Sequence, residues 1–167
     1  MINTDDSGQA ADTHASETAN YSDNAYALLG GRKLLKRTVR NSVDAHDLIS
    51  DGLPAEALLH LAGEAPDLLQ GTSFKEATGI SIRSLRRRKS DANRTSVSRE
   101  HGDRAWCLAS VLAQAAEALG SLEAAGAWLL EPATGLDNRR PIDLLTSSAG
   151  VRAIRHHHTR VEYGVYC

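Results

Sequence analysis

The clearest pattern in the chain is a run of apolar positions at helical spacing: Ala105, Leu108, Ala109, Leu112, Ala115, Ala116 and Leu119. It predicts a long helix that Asp103 is placed to cap and Gly120 to stop, with Trp106 and Val111 widening its apolar face. Ser121 then caps a second helix through Leu130, whose inner face is Ala125, Trp128 and Leu129 and which Pro132 ends. The alanine-rich surfaces of both allow close approach, so an antiparallel pair joined at Gly120 and Ser121 is expected.

Upstream the pattern is helical in shorter pieces. A turn of helix over Ala25 to Leu29 ends at Gly30 and Gly31, and a basic segment from Arg32 to Arg40 leads to Ser42. Ser42 or Asp44 caps a helix through Ile49 that Gly52 closes, and Pro54 opens the next, with Ala57, Leu58 and Leu61 on one face. Thr72 or Ser73 then starts a short helix, Phe74 to Thr78, which Gly79 breaks. After Ile80, Ser81 caps another through Lys89. Two short helices meeting at a sharp glycine turn have the layout of a helix-turn-helix, with Ala77, Ile80, Ile82 and Leu85 as its small core. A polar connector, Asp91 to Gly102, precedes the long helix. Beyond Pro132, Pro141 starts a short helix to Thr146, Ser147 or Ser148 begins a last one through Val151 and Ile154 towards Thr159, and a short aromatic end follows.

Composition narrows the fold class. Of the 167 residues 41% are apolar but only 4% aromatic, a balance that favours packed helices over sheets of branched and aromatic residues, so an all-α fold is expected. Residues 1–24 hold almost nothing large and apolar, and burial there cannot offset the entropy of ordering; they are read as a disordered acidic tail. No stretch is long and apolar enough for a membrane span and the N-terminus lacks the layout of a secretory signal, which points to the cytoplasm and no membrane partner. The two cysteines do not suggest a disulfide framework.

Charge changes the picture more. The net charge of −2 hides five acids and no Lys or Arg in residues 1–31, and nine bases against four acids in residues 74–104. Arg83, Ser84, Arg86, Arg87 and Arg88 are expected to face outward from the second short helix and to meet base edges and phosphates, with Lys75 and Arg94 as phosphate contacts. The alternative is a solvated basic face.

Signs of catalysis are missing from the sequence. It holds no glycine-rich phosphate loop, no metal-ligand spacing and no paired carboxylates beside a histidine on a shared face, so neither an enzyme nor a cofactor is expected. His156, His157 and His158 are consecutive on a helix and diverge, which argues against one shared metal ion; they are expected to form a solvated basic face lining a partner interface.

The order of features over residues 103–167 resembles the toxin-binding domain of the Xre/MbcA/ParS antitoxin family. The long Ala/Leu helix is followed by Ala127-Trp128-Leu129, Leu136, Arg140-Pro141-Ile142-Asp143-Leu144-Leu145, Gly150-Val151 and Val161-Glu162-Tyr163-Gly164-Val165-Tyr166. Leu28-Leu29-Gly30, Gly52-Leu53-Pro54 and Ser81 to Arg88 similarly resemble the Xre-like helix-turn-helix half of that family. The resemblance covers roughly residues 25–167 and implies a DNA-binding domain (25–100) and a toxin-binding domain (101–167), with the acidic tail (1–24) outside it. It also implies a homodimer, a hetero-oligomer with a RES-domain toxin that consumes NAD⁺ or transfers its ADP-ribose, and operator binding that regulates the shared operon. Carried onto this chain, Arg160, Glu162, Tyr163, Gly164, Val165, Tyr166 and Cys167 neutralise the toxin by covering its cleft. Two aromatics separated by Gly164-Val165 suit that role, since aromatic anchors in a pocket commonly dominate binding energy. The rival reading is a stand-alone transcription regulator whose C-terminal half only dimerises.

Overall fold

The long apolar helix organises everything around it. A computed structural model describes residues 24–91, 93 and 95–162, the last four as backbone only. The described residues form ten α-helices: α1 (24–28), α2 (Gly31–Leu35), α3 (Ser42–Asp51), α4 (Ala55–Glu64), α5 (Ser73–Thr78), α6 (Ile82–Ser90), α7 (Arg99–Leu119), α8 (Leu122–Leu130), α9 (Pro141–Leu144) and α10 (Ser148–Glu162). Two 3-10 turns, Pro66–Leu69 and Thr134–Leu136, join them. The fold is all-α, as composition led one to expect. None of these helices alone is long and apolar enough to cross a membrane.

α7 is apolar round most of its circumference, with Leu108, Val111 and Leu112 fully buried, and a helix of that kind must be covered on several sides. It packs against α3 and α5 from the first half of the chain and against α8 and α10 from the second. One buried apolar cluster therefore runs from Ala25 to Ile154.

Several ends differ from the sequence expectation. α7 begins at Arg99, because the Ser98 hydroxyl accepts from the His101 amide at 3.5 Å and starts the helix one turn before Asp103. The segment expected to be a polar connector is thus helical from residue 99. α3 is capped by Asn41, whose side chain accepts from the amides of Val43 and Asp44, and not by Ser42 or Asp44. α2 forms inside the stretch read only as a basic segment. Ser121 does cap α8, accepting from the Ala124 amide at 3.1 Å, but the α7 and α8 axes turn by 113° and are not antiparallel. α8 must also cover the Pro66–Leu69 turn and α9, and it reaches them only by crossing α7 steeply. α10 continues three residues beyond Thr159, to Glu162.

Candidate functional site

Two surfaces hold the residues singled out from the sequence, and each is built on local rules. The first is α6 with the turn before it. Gly79 sits at φ 78°, the left-handed conformation that glycine adopts without strain, and reverses the chain after α5. The turn is fastened from both sides. The Thr78 hydroxyl, fully buried, donates to the Phe74 carbonyl at 2.7 Å, and His101 Nδ1 on α7 donates to the Thr78 carbonyl at 3.1 Å. That imidazole lies so close that a Cβ on residue 79 would meet its Nδ1 at 2.9 Å. Ser81 then caps α6 by accepting from the Ser84 amide at 3.2 Å. Of the expected small core, Ala77, Ile80 and Leu85 are buried and Ile82 is half-buried.

The bases divide on this frame. Arg83, Arg86 and Arg87 are exposed on α6, and no acid occurs anywhere in Ile82–Ser90; Lys75 is exposed on α5. Arg88 does not point outward as expected. It is half-buried and donates to the Ser96 carbonyl at 3.2 Å, tying α6 to the stretch after it. Ser84 is half-buried too, with its hydroxyl on the Ser81 cap at 3.0 Å. Helical geometry explains Arg88, which lies about 60° round the helix from the fully buried Leu85, closer than any exposed arginine; Ser84 is drawn in by its bond with the Ser81 cap. Arg94 lies outside the described residues. Lys89 forms an ion pair at 2.9 Å with Glu56 on α4, and Lys36 and Lys33 also help to hold the Glu56 carboxyl below its usual range.

The second surface is the end of the molecule formed by α8, α9 and α10. α10 is anchored through Val151 and Ile154, and its start is pinned where Gly150 fits against the Leu144 backbone with no room for a Cβ. The Ser147 hydroxyl caps it, accepting from the Gly150 amide at 3.0 Å. Arg140 and Asp143 form a two-pronged ion pair at 2.7 and 3.0 Å beside Pro141. α9 itself packs against α10 and α8.

The three histidines of α10 diverge, as expected for consecutive helical positions, but they are not a uniformly solvated face. His156 is exposed and His157 half-buried, its ring parallel to Trp128 of α8 with centroids 6.3 Å apart. His158 is buried to 3% exposure, with its ring 4.6 Å from Trp128 and its Nε2 without a hydrogen-bond partner among the described residues. Burial, and secondarily His157, push the His158 imidazole down to about 4, so it is neutral at physiological pH. A shallow cavity of about 310 Å³ opens beside His156 and His157, bounded by Gly135, Leu136, Arg139 and Leu144.

Residues 114–164 match the family model of the antitoxin Xre/MbcA/ParS C-terminal toxin-binding domain. The matched span is a C-terminal toxin-binding domain of the Xre/MbcA/ParS antitoxin type. It begins inside α7 and takes in α8, α9 and α10, so the second surface lies within that domain. No curated protein matches this sequence.

Neutralising residues expected from the sequence fall at the edge of what the structure describes. Arg160 and Glu162 are on the last turn of α10, described as backbone only, and Tyr163, Gly164, Val165, Tyr166 and Cys167 lie outside the described residues. Sequence reasoning missed the packing of Trp128 against His157 and His158, and the convergence of Lys33, Lys36 and Lys89 on Glu56. Trp128 stood out as an inner-face residue of α8, but the spacing of thirty positions to His158 carries no signal. Among the described residues no group of three or more His, Cys, Asp or Glu is placed to hold a metal ion.

Proposed function

We propose that this antitoxin neutralises a RES-domain toxin, one that consumes NAD⁺ or transfers its ADP-ribose, by laying residues 160–167 over the toxin's active-site cleft. The observation that carries this reading is the anchoring of α10. Val151, Ile154 and His158 bury one side of that helix, so its C-terminal end leaves the domain from a rigid support. A rigid support lowers the entropy lost when the terminal segment meets a partner. Tyr163 and Tyr166 supply aromatic anchors beyond it. The antitoxin acts in the cytoplasm by binding, without catalysis of its own.

The second half of the proposal is operator binding. In this reading α5 and α6 act as a helix-turn-helix, Arg83, Arg86 and Arg87 meet base edges and phosphates, and Lys75 and Arg94 contact phosphates. Arg88 and Ser84 hold the helix in place. A homodimer presents two such helices to a two-fold operator. The support for this is a short helix with three exposed arginines and no acid, set after a turn that neighbouring side chains fasten.

The test is growth and cellular NAD⁺ in cells that express the neighbouring toxin gene with either the full chain or a chain ending after Val161. Rescue by the full chain alone, with the truncated chain still bound to the toxin, is the expected result. Equal rescue by both would remove residues 162–167 from neutralisation.

A further inference from the structure

The basic surface of α6 does not end with its arginines. Arg86 and Lys89 are three positions apart and so adjoin on the helix surface, and Lys89 lies at the rim of a groove of about 360 Å³ between α2, α4 and the end of α6. The groove has a partly apolar floor, Leu34 and Leu59, and its cations are Lys33 and Lys89. Lys36 adds to the field acting on Glu56, the groove's one carboxylate. At the groove Lys33, Lys36 and Lys89 thus outnumber Glu56, and the exposed Arg83, Arg86 and Arg87 extend the basic surface along α6.

The chain itself contains a matching polyanion. Residues 1–23 hold Asp5, Asp6, Asp12, Glu17 and Asp23 and no Lys or Arg. They join the described structure at α1, and Gly30, two residues past that helix, lines the groove. A helical rise of about 1.5 Å per residue puts residue 24 roughly 9 Å from Gly30. A chain of this length can extend over at most about 80 Å, enough to reach both the groove and the arginine face. At this range opposite charges attract with little screening in dilute salt.

We infer that residues 1–23 dock along the groove between α2, α4 and α6 and over the arginines of α6, where they compete with nucleic acid. The segment is then an internal mimic of the phosphate backbone. It sets a threshold that a duplex must exceed, and it discriminates against weak, sequence-independent binding because only a ligand with more contacts displaces it. The competition rests on the DNA-binding reading above; the docking itself does not.

Two measurements on the full chain separate these. Zero-length carbodiimide coupling joins a carboxylate to a lysine only when they touch. Coupling of Asp5, Asp6 or Asp12 to Lys33, Lys36 or Lys89, mapped by mass spectrometry and lost in high salt, is the expected result. No such coupling in dilute salt would overturn the docking, and coupling only between isotopically distinct copies would overturn its intramolecular form. The second measurement is the affinity of a random-sequence duplex for the native chain and for D5N/D6N/D12N/E17Q/D23N. The neutralised chain should bind about tenfold more tightly in dilute salt, with the gap closing as salt rises. Equal affinities would overturn the competition. Coupling with no duplex binding by either chain would uphold the docking and overturn the DNA reading with which it is linked.

Discussion

Replacing His158 by Phe probes the packing of α10 on α8 through a quantity that the structure lets one work out. The imidazole is held neutral, at about 4, by burial and by His157, against about 6.5 in the unfolded chain. Between those values the unfolded chain takes up a proton that the folded chain refuses, so stability falls as pH drops. The contribution is intact above about pH 7 and is lost progressively down to about pH 4. Linkage with these two values gives a loss of about 2 kcal/mol between pH 7.5 and pH 5 from this one residue. H158F retains an aromatic ring beside Trp128, removes the unpartnered Nε2 and has nothing to protonate. Its stability at pH 7.5 should match or exceed that of the native protein, since a buried polar atom without a partner costs about 1–3 kcal/mol. Its advantage should then grow by about 2 kcal/mol at pH 5. Urea denaturation followed by far-ultraviolet circular dichroism measures both, and the growth corresponds to a relative midpoint shift of about 1 M for ordinary urea slopes. Every other ionisable side chain is common to the two proteins, so the difference reports residue 158 together with its coupling to His157. Parallel stability profiles for the two proteins from pH 7.5 to pH 5 would refute the reasoning and place a solvated or hydrogen-bonded imidazole at that position.

Three further outcomes are expected. Gly79→Ala puts a Cβ into left-handed backbone and against His101, so it should cost more than the roughly 1 kcal/mol that strain alone brings; thermal unfolding checks this. Leu85→Ala empties a fully buried position under α6 and should cost about 2–5 kcal/mol in the same assay. Arg87→Ala should leave stability within about 0.5 kcal/mol, weaken duplex binding and lower the magnitude of the salt slope by about one, while toxin capture is unchanged, as checked by anisotropy titrations at several salt concentrations.

Much of this protein is legible in its sequence because the rules concerned are local. Helical spacing from Ala105 to Leu119, the caps at Ser81 and Ser121, and the glycine stops at Gly79 and Gly120 each depend on neighbours within a turn or two of the chain. The all-α class and the toxin-binding domain follow from such patterns and from the order of short motifs after residue 103. The start of α7 was misread: the sequence pointed to Asp103 as its cap, whereas Ser98 caps a longer helix whose Gly102 packs against Ile49 and Leu53.

Tertiary structure decided what depends on distant partners. The 113° turn between α7 and α8 is made at Gly120, in the left-handed region, and at extended Ser121, but what α8 has to cover decides which angle they adopt. Arg88 is a tether and Arg87 an exposed cation because Ser96 comes to one side of α6, although the two residues are adjacent and identical in type. His158 is a buried neutral ring between half-buried His157 and Trp128 because the two helices meet there. Side-chain chemistry and helical period are written position by position; burial and electrostatic environment arise only when segments far apart in the chain exclude water together.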